Sequence, residues 1–181
     1  MPIPMRTLLF WLALAHLGAV PQEPAIWLDV PFVRQEKEGC GAASVAMVMQ
    51  YWIQEGFRAY AVDQVDPMKT YTALHSSREK GTLASEVERY LRERGFRIFV
   101  FRGQWENLRE HLSKGRPLIV CLKAGDGDSR HYLVVAGLEG ELVLVNDPAR
   151  RKLTKLKRQR FEEEWKAAES WTLLAVPAEE R

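Results

Sequence analysis

Cys40 is the first of four side chains, far apart along the chain, whose types could together support nucleophilic chemistry. It follows a glycine and begins a run of small and apolar residues that predicts a helix from Cys40 to about Gly56. A thiol in the first turn of a helix lies near unpaired backbone N–H groups, whose partial positive charge favours the reactive thiolate. Gly41, directly after it, would let a substrate backbone approach closely. We therefore expect Cys40 to be a nucleophile; the alternative is a buried inert thiol, the commonest state of an unpaired cysteine.

His131 and Asp147 could serve this thiol as a base and as the partner that orients the base. With a tight turn at Glu139-Gly140, the two residues are predicted to lie nearly opposite each other in an antiparallel strand pair. The imidazole could then take the proton of Cys40, while the carboxylate holds the other ring nitrogen and fixes its tautomer. A histidine at a sheet edge beside the turn-capping sequence Asn146-Asp147-Pro148 would give the same pattern without chemistry.

Gln35 precedes Cys40 by five residues, across a loop that contains Gly39. Its amide could donate, together with the Cys40 N–H, to the oxyanion that forms when a thiolate attacks a carbonyl carbon. A loop glutamine taken alone is usually only solvated. The prediction for Gln35 therefore depends on Cys40, His131 and Asp147 being a catalytic group.

The elements that must position these residues predict an α+β fold, because helices come first along the chain and strands come later. Besides the helix at Cys40, helical patterns cover 82–94, 105–112 and 161–167, and 57–80 is mostly loop with short helical pieces. Residues 26–33 are predicted to be a short extended segment in which Pro31 limits strand pairing. Strand patterns cover 96–101, 117–122, 131–138, 141–146, 151–156 and 171–176. This order favours an antiparallel sheet packed on a helical layer over a doubly wound parallel sheet. We expect one domain over residues 26–178.

Three segments of the chain resemble the peptidase domain of bacteriocin-exporting ABC transporters: Gln35–Ser44 (QEKEGCGAAS), His131–Val135 (HYLVV) and Val145–Pro148 (VNDP). These domains are the double-glycine leader peptidases, which have stand-alone relatives and belong to the papain-like superfamily. The resemblance implies a papain-like fold. It also implies that Gln35 is the oxyanion glutamine, Cys40 the nucleophile, His131 the base and Asp147 the residue that orients the base.

The first residues predict a secretory signal peptide over residues 1–19. Met1–Arg6 carries a cation, Thr7–Val20 is almost wholly apolar, and two prolines follow. This apolar stretch is shorter than the roughly 20 residues that span a bilayer. We expect cleavage after Ala19 and an exported protein, periplasmic or extracellular, with no membrane span after signal removal. A helix docked on the domain or an uncleaved anchor are the alternatives.

Composition and motifs argue against several other classes of protein. The formal net charge is only +2, and the basic run from Arg150 to Arg160 precedes an acidic segment, so we expect a solvated face and no nucleic-acid partner. Neither HExxH nor CxxC occurs, and we expect no metal and no cofactor. Cys121 lies in an apolar run and is expected to be a buried thiol. A Cys40–Cys121 disulfide is the alternative, and it would remove the nucleophile.

Together these observations predict an exported cysteine peptidase that hydrolyses bonds in a peptide or protein substrate. Two alternatives remain from the sequence. One is a non-catalytic papain-like module that binds a peptide in the same groove. The other is an amidase or acyl-transferase that uses the same three residues on a different acyl donor. The sequence does not define the scissile site, and it leaves open whether double-glycine leaders are cut.

Overall fold

A computed structural model of the chain describes residues 24–57, 65–123 and 129–178. The signal peptide predicted over residues 1–19 lies outside the described residues. The elements are β1 (Ile26–Trp27), α1 (Cys40–Gln54), α2 (Pro67–Leu74), α3 (Ala84–Arg92), β2 (Phe96–Arg102), α4 (Trp105–Ser113), β3 (Leu118–Lys123), β4 (Arg130–Glu139), β5 (Leu142–Asn146), β6 (Thr154–Lys157), α5 (Arg158–Ala167) and β7 (Trp171–Pro177). In this part of the chain, no helix combines the length and the apolar character that crossing a membrane requires.

The strands form one seven-stranded sheet with the order β2-β7-β3-β4-β5-β6, and the short strand β1 pairs with the far end of β4. Every strand pair is antiparallel. The predicted α+β class with an antiparallel sheet is therefore confirmed. β4 is central to the arrangement because it pairs with β3 on one edge and with β5 on the other.

Helices cover both faces of this sheet. On one face, α1, α2 and α3 form the predicted helical layer, and Ile119 and Cys121 of β3 belong to the hydrophobic core beneath it. On the other face, α4 and α5 pack on a second core that includes Val120 and Leu122 of the same strand. Burial on both faces explains why this strand is apolar at nearly every position. The second helical layer was not part of the prediction.

α1 is the buried centre of the first layer. It begins at Cys40 and ends at Gln54, close to the predicted range, and Gly56 follows in a left-handed conformation (φ +96°). Most of its side chains between Gly41 and Tyr51 are buried. Small residues such as Ala42 and Ala46 let the helix approach β4 closely, so the start of α1 is fixed against the sheet.

Two helices begin where the sequence patterns did not place them. α2 lies within the segment predicted to be mostly loop, and its local signal is Asp66-Pro67: the Asp66 carboxylate accepts from the N–H groups of Met68 (2.6 Å) and Lys69 (3.2 Å). An aspartate cap followed by proline in the first turn is a strong helix start. α5 begins at Arg158, three residues earlier than predicted, because the helix directly follows β6 without a loop.

Candidate active site

Cys40 is the first residue of α1, and its sulfur contacts the start of β4. The Sγ atom accepts a hydrogen bond from the N–H of Tyr132 (3.5 Å) and also interacts with the His131 side chain and the Gly41 N–H. Burial raises the pKa of the thiol. The hydrogen bonds from His131 and Tyr132 and the charge of His131 lower it by more, so the pKa of Cys40 lies below its ordinary value.

His131 lies between Cys40 and Asp147. Its Nε2 atom is 2.7 Å from the Oδ1 atom of Asp147, which leaves Nδ1 as the nitrogen that meets Cys40. Burial lowers the pKa of His131, but hydrogen bonds and charge interactions with Asp147 and Cys40 raise the pKa to about 9. The pKa of Cys40 is thus lowered and the pKa of His131 is raised. Both changes favour a thiolate–imidazolium ion pair between the two side chains.

The carboxylate of Asp147 is held by three neighbours. Besides His131, its Oδ1 atom accepts from the Ala149 N–H (3.0 Å), and its Oδ2 atom is 3.4 Å from Nε of Arg150. Burial raises the pKa of this carboxyl group, but the hydrogen bond and charge of His131 lower it to below its ordinary value. Asp147 is therefore ionised at neutral pH and oriented toward the imidazole.

The strand register that brings His131 and Asp147 together differs from the predicted one. The turn centres on Gly140-Glu141, because Glu139 pairs with Leu142. Continuing the observed register beyond Asn146 sets Asp147 opposite Leu133, not opposite His131. The two residues were predicted to lie nearly opposite each other from a turn at Glu139-Gly140, and in the structure His131 lies two residues from the position opposite Asp147. The two side chains meet as diagonal neighbours on one face of the strand pair, a distance that long side chains can bridge.

A β-bulge at Ala136 determines which face Asp147 occupies. Val135 pairs with Val145, but Gly137 pairs with Leu144, so Ala136 is the extra residue. Without this extra residue, the register would set Asp147 opposite Val134. A shift of one residue moves a side chain to the other face of the sheet, so Asp147 and His131 would then lie on opposite faces. The bulge therefore allows the pairing of the imidazole with the carboxylate.

Strand β1 and Leu28, the residue that follows it, hold this bulge in place. The Leu28 N–H donates to the carbonyl oxygen of Ala136 (2.8 Å). At Gly137, a β-carbon would lie 2.5 Å from the carbonyl oxygen of Ile26, so only glycine permits the approach of β1. The short first strand thus contributes to the geometry of the site although none of its residues touches the reactive groups.

Gln35 lies in the loop before α1 and lines the same cleft as Cys40 and His131. Its backbone N–H donates to the carbonyl oxygen of Pro148 (3.1 Å), which ties this loop to the residues that follow Asp147. Its side-chain Oε1 atom is buried and has no hydrogen-bond partner among the described residues. The structure therefore brings together all four residues singled out from the sequence.

Asn146 is a residue of the site region that sequence reasoning missed. It is fully buried, its amide donates to the carbonyl oxygens of Val30 (3.0 Å) and Pro31 (3.4 Å), and its Oδ1 atom accepts from the Leu153 N–H (3.0 Å). It therefore connects the segment before Gln35 to the end of β5. The signal was present, because a polar residue at the end of the apolar strand LVLVN must find partners when it is buried.

A cleft of about 820 Å³ opens in front of Cys40. Its walls are the segment 79–85 on one side and the segment 129–132 on the other. Thr82 packs directly on Gly41, where a β-carbon would lie 2.7 Å from the Thr82 Cβ atom. The close approach expected at Gly41 is thus made by the chain's own Thr82, and the glycine brings this wall of the cleft next to the nucleophile.

The second thiol and the basic run noted in the sequence also lie within the described residues. Cys40 and Cys121 are both unpaired thiols, so the disulfide alternative does not hold; Cys121 is buried, and burial raises its pKa to about 11. The basic run after Arg150 is largely ion-paired, through Lys152–Asp29, Lys155–Glu139, Arg158–Glu162 and Arg160–Glu164. Within residues 24–57, 65–123 and 129–178, no group of three or more His, Cys, Asp or Glu side chains could hold a metal ion.

Comparison with known proteins identifies relatives of the whole described domain. The sequence model of the Peptidase_C39 like family matches residues 27–172. The chain is 30% identical over 140 residues to the transport/processing ATP-binding protein ComA of Streptococcus pneumoniae. This alignment covers 77% of the chain but only 17% of the curated relative, so the chain corresponds to a small part of that protein.

Solved structures share the fold. A double glycine motif protease from an AMS/PCAT transporter, crystallised in complex with the leader peptide, has a TM-score of 0.63 and 24% identity, covering 84% of this chain and 94% of its own. The peptidase domain of Streptococcus ComA has a TM-score of 0.59 and 22% identity, covering 80% and 96%. With its family match over most of its length and with this shared fold, the chain belongs to the Peptidase_C39 like family of cysteine peptidases.

Proposed function

We propose that this chain hydrolyses peptide bonds, with Cys40 as nucleophile, His131 as general base and acid, Asp147 as the residue that orients the imidazole, and Gln35 as an oxyanion donor. The observation that carries the proposal is the continuous contact from the Cys40 sulfur through His131 to Asp147 at one end of a cleft. Membership of a cysteine peptidase family supports the same conclusion.

The geometry supports a sequence of four steps. The Cys40 thiolate attacks the carbonyl carbon of the substrate, and the carbonyl oxygen gains negative charge. The Cys40 N–H and the Gln35 amide are the donors proposed for this oxyanion. His131 then gives its proton to the leaving amine, and the acyl group remains as a thioester on Cys40. Finally His131 takes a proton from water, and the water oxygen attacks the thioester. The acyl group leaves as a carboxylic acid, and Cys40 is again a thiolate.

A peptide is the substrate class that the comparisons favour. One solved relative of the same fold is bound to a leader peptide. The cleft in this chain has charged residues of both signs on its walls, including Glu79, Lys80 and Arg130, which could contact charged side chains of a peptide. A peptide library that includes double-glycine leaders would identify the scissile sequence.

Export is also part of the proposal. It rests on the apolar stretch Thr7–Val20 and on the preceding Arg6, which match the layout of a secretory signal. Expression of the full chain in a bacterial host, followed by fractionation and N-terminal sequencing, tests it. Recovery outside the cytoplasm with a new terminus after Ala19 supports export; an uncleaved chain in the cytoplasmic fraction contradicts it.

The test of catalysis compares the parent protein with two variants that each lose one thiol, Cys40→Ala and Cys121→Ala. Each protein is incubated with a peptide library that includes double-glycine leaders, and products are identified by mass spectrometry. We expect cleavage by the parent and by Cys121→Ala, and none by Cys40→Ala, whose fold is checked by circular dichroism. If Cys40→Ala cleaves at the parental rate, the mechanism is wrong.

The same experiment separates the alternatives when it is combined with alkylation by iodoacetamide. Rapid alkylation of Cys40 below pH 8 without peptide cleavage indicates an amidase or acyl-transferase that requires another acyl donor. Slow alkylation without cleavage indicates a module that only binds peptides.

A further inference from the structure

Two aromatic residues, Tyr71 of α2 and His75 directly after it, contact the loop that precedes Cys40. Neither has a part in the proposed mechanism. The loop comprises residues 35–39 and is named here the nucleophile loop. Within it, Glu38 has a left-handed backbone (φ +56°), and the Gly39 N–H donates to the carbonyl oxygen of Glu36 (2.9 Å). A left-handed conformation at a non-glycine residue is unfavourable and persists only where the surroundings hold it.

Tyr71 of α2 makes two of the contacts. Its hydroxyl group donates to the carbonyl oxygen of Lys37 (3.0 Å). Its ring lies against the backbone of Gly39, where a β-carbon would be 2.8 Å from Cδ2 and 2.9 Å from Cε2 of the ring. Gly39 itself has φ −100° and ψ 23°, a conformation that other residues can adopt. The glycine is therefore required not by its own φ and ψ but by its neighbours, chiefly the Tyr71 ring, with the Glu36 carbonyl oxygen next at 3.1 Å from such a β-carbon.

His75, directly after α2, supports Tyr71 from the other side. The two rings are stacked, with centroids 4.7 Å apart and an angle of 23° between their planes. The Nε2 atom of His75 is buried, has no hydrogen-bond partner among the described residues, and lies 3.8 Å from Oε2 of Glu38. The two side chains thus contact three consecutive residues of the nucleophile loop: Lys37, Glu38 and Gly39.

From these contacts we infer that Tyr71 and His75 are positioning residues, which hold the nucleophile loop so that the Cys40 N–H, the Gln35 amide and the Cys40 sulfur have their reactive geometry. The inference rests on the proposed function of Cys40. It extends that function to two side chains outside the cleft, since neither Tyr71 nor His75 lines the cavity in front of Cys40. Because Cys40 follows Gly39 directly, any displacement of Gly39 moves the sulfur and the N–H group together.

Tyr71→Phe tests the hydroxyl contact alone, and Tyr51→Phe is its matched control. The Tyr51 hydroxyl also donates to a backbone carbonyl, that of Gly115 (2.8 Å), from a position further along α1. A single hydrogen bond of this kind contributes about 0.5–1.5 kcal/mol, so we expect Tyr71→Phe to lower kcat roughly three- to tenfold with KM unchanged. We also expect the thiol pKa, read from the pH dependence of Cys40 alkylation, to rise toward its ordinary value.

The control should change the melting temperature but neither kcat nor the alkylation profile. If Tyr71→Phe gives the same kcat and the same alkylation profile as Tyr51→Phe, the inference is overturned. The alkylation profile keeps this test independent of peptide cleavage. If the parent cleaves no peptide but Tyr71→Phe still shifts the profile, the proposed function fails while the positioning role stands.

A double-variant comparison tests the ring contact. Gly39→Ala is introduced into the parent and into Tyr71→Ala, and alkylation and melting temperature are measured for all four proteins. We expect Gly39→Ala to slow Cys40 alkylation in the parent and to have a smaller effect when the ring is absent, since the two closest contacts are with that ring and only the Glu36 carbonyl oxygen at 3.1 Å then remains. Equal effects in the two backgrounds would refute the contact. Tyr71→Phe, which keeps the ring, remains informative if Tyr71→Ala does not fold.

Discussion

Replacement of Asp147 by asparagine is the perturbation whose effect the geometry defines best. Asparagine keeps an acceptor oxygen near Nε2 of His131 but removes the negative charge. Asp147 and Cys40 together raise the pKa of His131 from 6.5 to about 9 against the opposing effect of burial, and the hydrogen bond with Asp147 is the largest contribution that raises it. The net difference corresponds to roughly 3 kcal/mol, and a loss of about one pKa unit is the working expectation for removal of the Asp147 charge.

The sign of the effect follows from what Asp147 does to the imidazole. Because its charge raises the pKa of His131, the Asp147→Asn variant should lose the imidazolium proton at a lower pH than the parent does. The alkaline limb of the kcat/KM profile, expected near pH 9 for the parent, should move down by about one pH unit. At pH 7 both proteins keep the imidazolium and kcat/KM should change little, whereas at pH 9 the variant should fall about fivefold below the parent because its histidine has lost the proton.

The assay measures how kcat/KM for the best peptide from the library depends on pH. The rate of Cys40 alkylation is measured over the same pH range. Asp29→Asn is the control, because it removes the same charge from a carboxylate whose side chain is 76% exposed and paired with Lys152. Exposed charges are screened by solvent, so its profile should match the parent. An alkaline limb that stays in place in Asp147→Asn would refute the role given to Asp147.

Three further predictions follow from the same site. Gln35→Ala should lower kcat on the order of 10²–10³ while leaving the rate of Cys40 alkylation unchanged, because only the oxyanion loses a donor; a parental kcat would exclude the glutamine from the oxyanion site. Asn146→Ala should lower the free energy of unfolding by about 2–4 kcal/mol in urea titrations, since it leaves the buried Leu153 N–H and two carbonyl oxygens without partners; a change below 0.5 kcal/mol would contradict this. Cys121→Ala should leave the alkylation profile of Cys40 unchanged, and a shifted profile would show that the buried thiol influences the nucleophile.

Local signals predicted most of the fold. The start of α1 at Cys40 follows from a glycine before a run of small and apolar residues, and most strands follow from apolar runs interrupted by glycine and charge, although β1 covers only Ile26–Trp27 and β6 begins at Thr154, later than predicted. These are properties of a few neighbouring residues. They also helped to select Cys40, His131 and Asp147, which lie at or next to the ends of elements, whereas Gln35, in the loop before α1, was selected by its spacing to Cys40.

Features that depend on distant parts of the chain could not be predicted in this way. The bulge at Ala136 lies where β1 pairs with the end of β4, a contact across more than a hundred residues. The register was therefore predicted from the turn alone, and it was wrong. Tyr71 and His75 were missed for the same reason. Their contacts with the nucleophile loop come from the packing of α2 against α1, which no local pattern indicates.

The central claim is that Cys40 is a thiolate at neutral pH because His131 lies beside it. Alkylation of the intact protein by iodoacetamide at pH 6, followed by peptide mapping, tests this claim most directly, with His131→Ala as the comparison. The account predicts one adduct, on Cys40 and not on the buried Cys121, that forms much faster in the parent than in His131→Ala. Equal rates in the two proteins, or no adduct on Cys40, would contradict it.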